Sequence, residues 1–181
     1  MAVPNFTDLE SNKYVIVWNQ TCPPPDPYAV PAECVATGFT YGAPIVGTGG
    51  NNSINGTGGN DLIFGLGGND KIDGRGGNDC IVGGDGNDKL SGGTGLDVLL
   101  GGIGNDALSG DSGNDVLYGN EDNDSLKGGS DNDRLYGGTG NDALDGGSDD
   151  DILNGEANSD AAKGGSGIDA CTAESVKQCE V

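Results

Sequence analysis

GGDGNDKLS (residues 83–91), GGTGLDVLL (92–100) and GGIGNDALS (101–109) are three of fourteen nine-residue lines that follow one another without insertion from Gly47 to Thr172. The first position is Gly in all fourteen, and the sixth is Asp in thirteen, with Asn52 the one substitute. The eighth is Ile or Leu in twelve, giving way to Ala162 and Cys171 in the last two lines. A fixed period of this kind marks a solenoid, whose units are stable only when stacked on their neighbours.

Each line reads as a six-residue turn followed by a three-residue strand. Glycine at positions one, two and four allows positive φ, so the chain bends sharply and turns its carbonyls inward. Strand side chains alternate, which points position eight into a core between two outward neighbours. Two lines make one coil of eighteen residues. Odd lines then stack on odd lines and even on even, as parallel strands in two facing sheets. The expected core is two ladders: Ile54, Ile72, Leu90, Leu108, Leu126, Leu144 and Ala162, and Ile63, Ile81, Leu99, Leu117, Leu135, Leu153 and Cys171. Seven coils at ~4.8 Å per strand make a rod about 34 Å long.

Twelve aliphatic side chains are a thin core for 126 repeat residues, many of them Gly, so another source of stability is needed. The aspartates supply it. Stacking sets the sixth-position carboxylates one strand spacing apart, which is repulsive without cations between them. Calcium suits such a site, because it takes six to eight oxygens from carboxylates and main-chain carbonyls in a flexible geometry. Magnesium keeps its waters, and zinc wants Cys or His, of which the chain has five and none. If each ion is clasped by a turn and the same-side turn one coil later, the lines offer up to about 12 calcium sites.

The phrase has the form G-G-x-G-x-D-x-U-x, with U a large aliphatic residue, and over 126 of 181 residues the chain resembles the RTX, or haemolysin-type, calcium-binding repeat family. The resemblance implies an all-β, right-handed parallel β-roll of about seven 18-residue coils with calcium in the turns. It implies a metal-ligand set of turn carbonyls and Asp61, Asp70, Asp79, Asp88, Asp97, Asp106, Asp115, Asp124, Asp133, Asp142, Asp151, Asp160 and Asp169. Asp122, Asp131, Asp149 and Asn158 replace the fourth-position Gly, so those turns are expected to be reshaped or to gain a ligand. Asn52 lacks the charge, and its site should be weaker.

The organisation is a segment 1–46, the roll 47–172 and a terminal cap 173–181. In the first, KYVIVW (13–18) reads as a strand and holds the chain's one Trp. CPPPDPYAVPAEC (22–34) reads as an extended loop closed by a Cys22–Cys34 disulfide, with two buried free thiols as the alternative. Phe39, Tyr41, Ile45 and Val46 lead into the first coil and are expected to cap its open end. At the other end Cys171 and Cys179 are expected to pair, in a short tail that looks like the C-terminal cap of secreted members of the family. Cys80, at an outward seventh position, is left as a shielded free thiol or an intermolecular link. Five N-x-S/T triplets, at Asn5, Asn19, Asn51, Asn55 and Asn123, are expected in so Asn-rich a chain.

Leu, Ile, Val and Phe make up 36 of 181 residues and the formal charge is −21, a composition that does not fold unaided. The expectation is a chain largely unfolded without calcium and folded with it, which suits an extracellular or cell-surface location where calcium is plentiful. Eight scattered Lys and Arg argue against nucleic acid. No apolar run approaches membrane-spanning length. The opening MAVPNFTDLE has neither the basic region nor the apolar core of an export signal, so location is inferred from calcium and cysteines. Without His, a G-x-S-x-G elbow or room for a pocket-bearing domain, no enzymatic activity is expected.

Positions seven and nine divide by line parity. Odd lines show mainly Ser, Lys, Asp and Ala, a solvated face. Even lines show Leu62, Phe64, Cys80, Val82, Val98, Leu100, Val116, Tyr118, Arg134, Tyr136, Ile152, Asn154, Ala170 and Thr172, so that sheet is largely apolar on its outside as well and needs a cover. Either residues 1–46, with Val15, Val17 and Trp18, fold back over it, or a second copy does. The leading expectation is a calcium-dependent structural protein that self-associates through Leu62, Phe64, Val82, Val98, Leu100, Val116, Tyr118 and Tyr136 into a filament, layer or matrix. The alternative is a monomeric module for secretion, stability or calcium sequestration. Ice binding wants a regular Thr rank, and position three offers only Thr94 and Thr139.

Overall fold

The computed structural model describes residues 31–173 and the backbone of 175–177. Its one helix among these, α1, is Ala32–Ala36. The strands follow in chain order: β1 Ile45–Val46, β2 Ser53–Asn55, β3 Leu62–Gly67, β4 Lys71–Asp73, β5 Cys80–Asp85, β6 Lys89–Thr94, β7 Val98–Ile103 and β8 Ala107–Ser112. Then come β9 Val116–Glu121, β10 Ser125–Ser130, β11 Arg134–Thr139, β12 Ala143–Ser148, β13 Ile152–Ala157, β14 Ala161–Ser166, β15 Ala170–Thr172 and β16 Ser175–Lys177. The odd-numbered strands form one eight-stranded sheet and the even-numbered strands another. Every pairing is parallel, and inside the repeat the register is eighteen residues, as in Ile81↔Leu99 and Leu126↔Leu144. This is the parallel β-roll.

One core lies between the sheets. Ile63, Ile81, Leu99, Leu117, Leu135 and Leu153 face Ile72, Leu90, Leu108, Leu126, Leu144 and Ala162, and all are buried. Ile45, Ile54 and Cys171 pack on the two ends of this cluster. The sheets also reach beyond the nonapeptide lines: β1 pairs with β3, and β16 pairs with β14 in a shorter register, Ala162↔Val176.

The division of the line differs from the six-plus-three reading. Most strands are six residues long, running from position seven through position three of the next line, as in β6, and the corner is only three residues. Burial along β6 alternates through the junction, so Leu90 and Gly92 both point inward. Position one is therefore Gly for space rather than for φ. A Cβ on Gly83 would meet Asp88 Oδ2 and, at 2.7 Å, the carbonyl oxygen of Gly101. Positive φ belongs to positions two and four, as at Gly84 (113°) and Gly86 (127°).

The fourth-position substitutions keep the corner's positive φ, at smaller angles than most of the glycines. Asp122, Asp131, Asp149 and Asn158 hold φ of 73–82°, the left-handed region that Asp and Asn tolerate better than other side chains. Leu66 and Arg75 are forced into it at position two, at a cost of roughly 1–2 kcal/mol each.

Two cysteine expectations change. Cys34 pairs with Cys80, not with Cys22, which lies outside the described residues. The reason is the cover: the end of the Pro-rich stretch is not extended but forms α1, whose Cys34 sits on the outside of the odd-numbered sheet above Cys80. Cys80 is thus neither free nor an intermolecular link. Cys171 is disulfide-bonded, and Cys179, its expected partner, lies outside the described residues.

The cover itself is the chain's own. Cys34, Leu62, Phe64, Cys80 and Val98 form a second buried cluster, with Tyr41, Val82, Leu100, Val116 and Tyr118 packed at its margin. Tyr41, expected to cap the roll's end, lies over its face instead, and its hydroxyl donates to the Cys34 carbonyl at 3.3 Å. Leu62, Phe64 and Val98 are therefore buried within one chain.

Candidate metal centre

The corner places the sixth-position Asp immediately before a strand begins, and its side chain turns back over the position-one Gly of its own line. All thirteen of these aspartates are buried, from Asp61 through Asp169, and the fourteenth line has Asn52 in their place. Each from Asp70 onward uses Oδ1 to accept the main-chain N–H of the corresponding residue one coil earlier. The Asp70 bond to the Asn52 N–H is 2.7 Å, the Asp115 bond to Asp97 is 2.8 Å, and the Asp169 bond to Asp151 is 3.1 Å. The same-side turns are thus linked in pairs, the relation expected of a shared ion.

The second oxygen is the informative one. Oδ2 of Asp70, Asp79, Asp88, Asp97, Asp106, Asp115, Asp124, Asp133, Asp142, Asp151 and Asp169 is buried with no hydrogen-bond donor. An unsatisfied buried carboxylate oxygen costs several kcal/mol and is rarely kept without a partner. Beside it lies a main-chain oxygen: the space over the Gly101 Cα that a Cβ would fill is bordered by Asp106 Oδ2 and, at 2.8 Å, by the Gly119 carbonyl. Carboxylate and carbonyl oxygens converging without a donor are what a hard cation takes. Among the described residues no three His, Cys, Asp or Glu side chains gather, so the carbonyls have to supply much of the shell.

The first coil is built differently. With no earlier turn to reach, Asp61 folds Oδ2 back onto its own line, accepting from Thr57 N (2.6 Å) and Thr57 Oγ1 (2.9 Å). Asn52 does the same with the Thr48 N–H at 2.6 Å. Thr at position two of the first two lines is the sequence signal for this closure.

Electrostatics agrees with a missing charge partner. Burial pushes the carboxyl of Asp115 up to about 8, those of Asp79, Asp106, Asp124 and Asp133 to about 7, and those of Asp97 and Asp151 to about 6. Asp88 and Asp142 shift the same way. The backbone N–H bond lowers each value, neighbouring carboxylates raise it again, and desolvation outweighs both. Without cations the most strongly shifted of these carboxyls, Asp115 above all, are only partly ionised at neutral pH.

A family model of the RTX calcium-binding nonapeptide repeat matches residues 46–81, 75–108, 82–117, 109–144, 118–153 and 136–170. The chain belongs to the RTX calcium-binding repeat family. RTX repeats bind calcium, and the buried Asp at every ninth residue is in keeping with calcium-holding turns. The RTX β-roll is a structural calcium-binding fold rather than a catalytic one. No curated protein matches the chain. Among the described residues no helix is long and apolar enough to cross a membrane.

One feature of the RTX corner escaped the sequence reading. Position five is Asn in ten of fourteen lines, and its Oδ1 accepts the N–H of the same position one coil later. Asn69 bonds to Asn51 at 2.8 Å and Asn105 to Asn87 at 2.8 Å. These amide ladders satisfy the outermost N–H of each corner, and the frequency of Asn was the signal for them.

Proposed function

We propose that the chain is a secreted, calcium-dependent structural module whose roll folds when calcium fills the corners. The ligands are Oδ2 of Asp70, Asp79, Asp88, Asp97, Asp106, Asp115, Asp124, Asp133, Asp142, Asp151, Asp160 and Asp169 with the facing carbonyls. Asp61 is the weakest candidate, because Thr57 already satisfies its Oδ2. Twelve Asp carboxylates reach a neighbouring coil, so up to twelve ions fit. The observation that carries this reading is the row of buried Oδ2 atoms with no donor.

A disulfide and a calcium-held fold both suit an oxidising, calcium-rich compartment outside the cell. The cover over Leu62, Phe64 and Val98 by residues of the same chain favours the monomeric module over assembly. Of the residues expected to carry self-association, Leu62, Phe64 and Val98 lie under this cover, while Val82, Leu100, Val116, Tyr118 and Tyr136 are half-buried.

Light scattering and far-UV circular dichroism on chelated protein, before and after adding calcium, test the proposal. The expected result is an expanded, unstructured monomer becoming a compact β-rich monomer. A chain equally compact in chelator and in calcium would sink the calcium reading. A calcium-dependent rise to large species would replace the monomeric module with an assembling one.

A further inference from the structure

The cover formed by residues 31–44 stops part-way along the odd-numbered sheet. Beyond it a groove of about 670 Å³ runs over β7, β9, β11 and β13. One wall is the cover itself, through Glu33, Ala36, Thr37 and Phe39, and the floor is Val98, Val116, Tyr118, Tyr136 and Ile152 with Arg134 among them. The floor continues the apolar strip whose first part is already buried: Val98 is in the covered cluster and Val116 and Tyr118 lie at its margin. Tyr118 and Tyr136 stack at 5.0 Å, so the strip is a packed apolar surface and not a scatter of side chains. A sheet with a buried core on one face and an apolar strip on the other needs covering along its whole length.

We propose that residues 13–18 of the same chain, KYVIVW, occupy this groove and complete the cover. The described chain begins at residue 31, one residue before α1, whose Glu33 and Ala36 form part of the groove's wall. Twelve residues separate Trp18 from Pro31, a stretch that spans up to about 45 Å, whereas β7 to β13 is about 14 Å across, so reach is ample. Within residues 1–30, 13–18 is the one sustained aliphatic and aromatic run, and it holds no acid. Its Lys13 suits the Glu33 and Asp150 carboxylates that line the groove. The inference rests on the roll being folded, and hence on the calcium reading, but its readout is separate.

Trp18 is the only tryptophan, so its fluorescence reports the segment alone. In the full, oxidised chain with calcium, Trp18 emission is expected to lie to the blue of free tryptophan, with acrylamide quenching at least threefold weaker than in the chelated, unfolded chain. Val15→Asp, which leaves the roll untouched, and Tyr136→Asp, on the groove floor, are each expected to restore solvent-like emission and quenching while far-UV circular dichroism stays that of a folded roll. Solvent-like Trp18 in a folded wild-type roll overturns the proposal. Shielding that disappears on dilution together with a fall from dimer mass also overturns it, assigning the groove to a second copy's segment. A roll folded with or without calcium removes the calcium reading yet leaves the Trp18 readout decisive.

Discussion

Asp97 donates its main-chain N–H to Oδ1 of Asp115, eighteen residues on, at 2.8 Å, while the other oxygen of that carboxylate is buried without a donor. One oxygen therefore ties two coils together and the other is held for something the protein chain does not provide. The two roles separate in Asp115→Asn. The amide keeps an acceptor for Asp97 but removes the charge, so the variant is expected to stabilise the metal-free roll and to weaken the calcium-loaded one. Each change is on the order of 1–3 kcal/mol. Calcium titration by calorimetry, with thermal melts in chelator and in calcium, reads both signs. A variant that loses stability in both conditions would make Asp115 a hydrogen-bonding residue only.

The pH dependence follows from the same carboxyls. Asp115 titrates at about 8 and Asp79, Asp106, Asp124 and Asp133 at about 7, against an ordinary value of 3.8. Between those limits the metal-free folded state binds more protons than the unfolded chain, so its stability falls as pH rises. The penalty is absent below about pH 4 and complete above about pH 8. Chelated protein is thus expected to gain β-structure on acidification from pH 8 to pH 5. Calcium binding requires the deprotonated ligand and runs the other way, its affinity rising over the same window with proton release. Circular dichroism in chelator and calcium titrations in buffers of different ionisation enthalpy check the two slopes. Parallel slopes would contradict the assignment.

Position-one glycines are expected to be the least replaceable residues of the repeat. A Cβ at Gly101 would collide with Asp106 Oδ2 and lie 2.8 Å from the Gly119 carbonyl, the two oxygens offered to one ion. Gly101→Ala is expected to cost about 1–3 kcal/mol by overpacking and to remove a calcium equivalent besides. Gly67→Ala is the control, since its Cβ would find nothing nearer than 3.7 Å and its φ is not positive. Calcium stoichiometry and chemical denaturation of the two variants decide the matter. Equal losses would mean that the site tolerates a Cβ.

The roll was legible because its determinants are periodic: Leu or Ile at position eight and Asp at position six recur with the coil. The sharing of each carboxylate between same-side turns followed from stacking alone. What the period could not give was the second inward position. Gly92 is silent about direction, and only the course of β6 shows that it points inward to make room for Asp97. Nor could the period speak for residues that occur once. Cys34 has a nearer partner in sequence than Cys80, namely Cys22, and its pairing is set by the way α1 lies on the sheet. Apolar even-line positions announced that a cover was needed, but not that Tyr41 would belong to it.

That cover gives the last prediction. The Cys34–Cys80 disulfide joins α1 to β5 across 46 residues and is fully buried with Leu62, Phe64 and Val98. Closing a loop of this size stabilises by about 2–4 kcal/mol, mostly by restricting the unfolded chain. Cys34→Ser with Cys80→Ser is expected to lower calcium-loaded stability by that amount and to let the cover open while the coils from β9 onward stay folded. Hydrogen exchange should then rise in residues 31–44 and in β3 and β5, and little in β11 and β13, because stacked repeats couple mainly to their neighbours. Binding of an apolar dye should rise as Leu62 and Phe64 gain access to solvent. Exchange rising equally in all coils would mean that the disulfide holds the roll together rather than its cover.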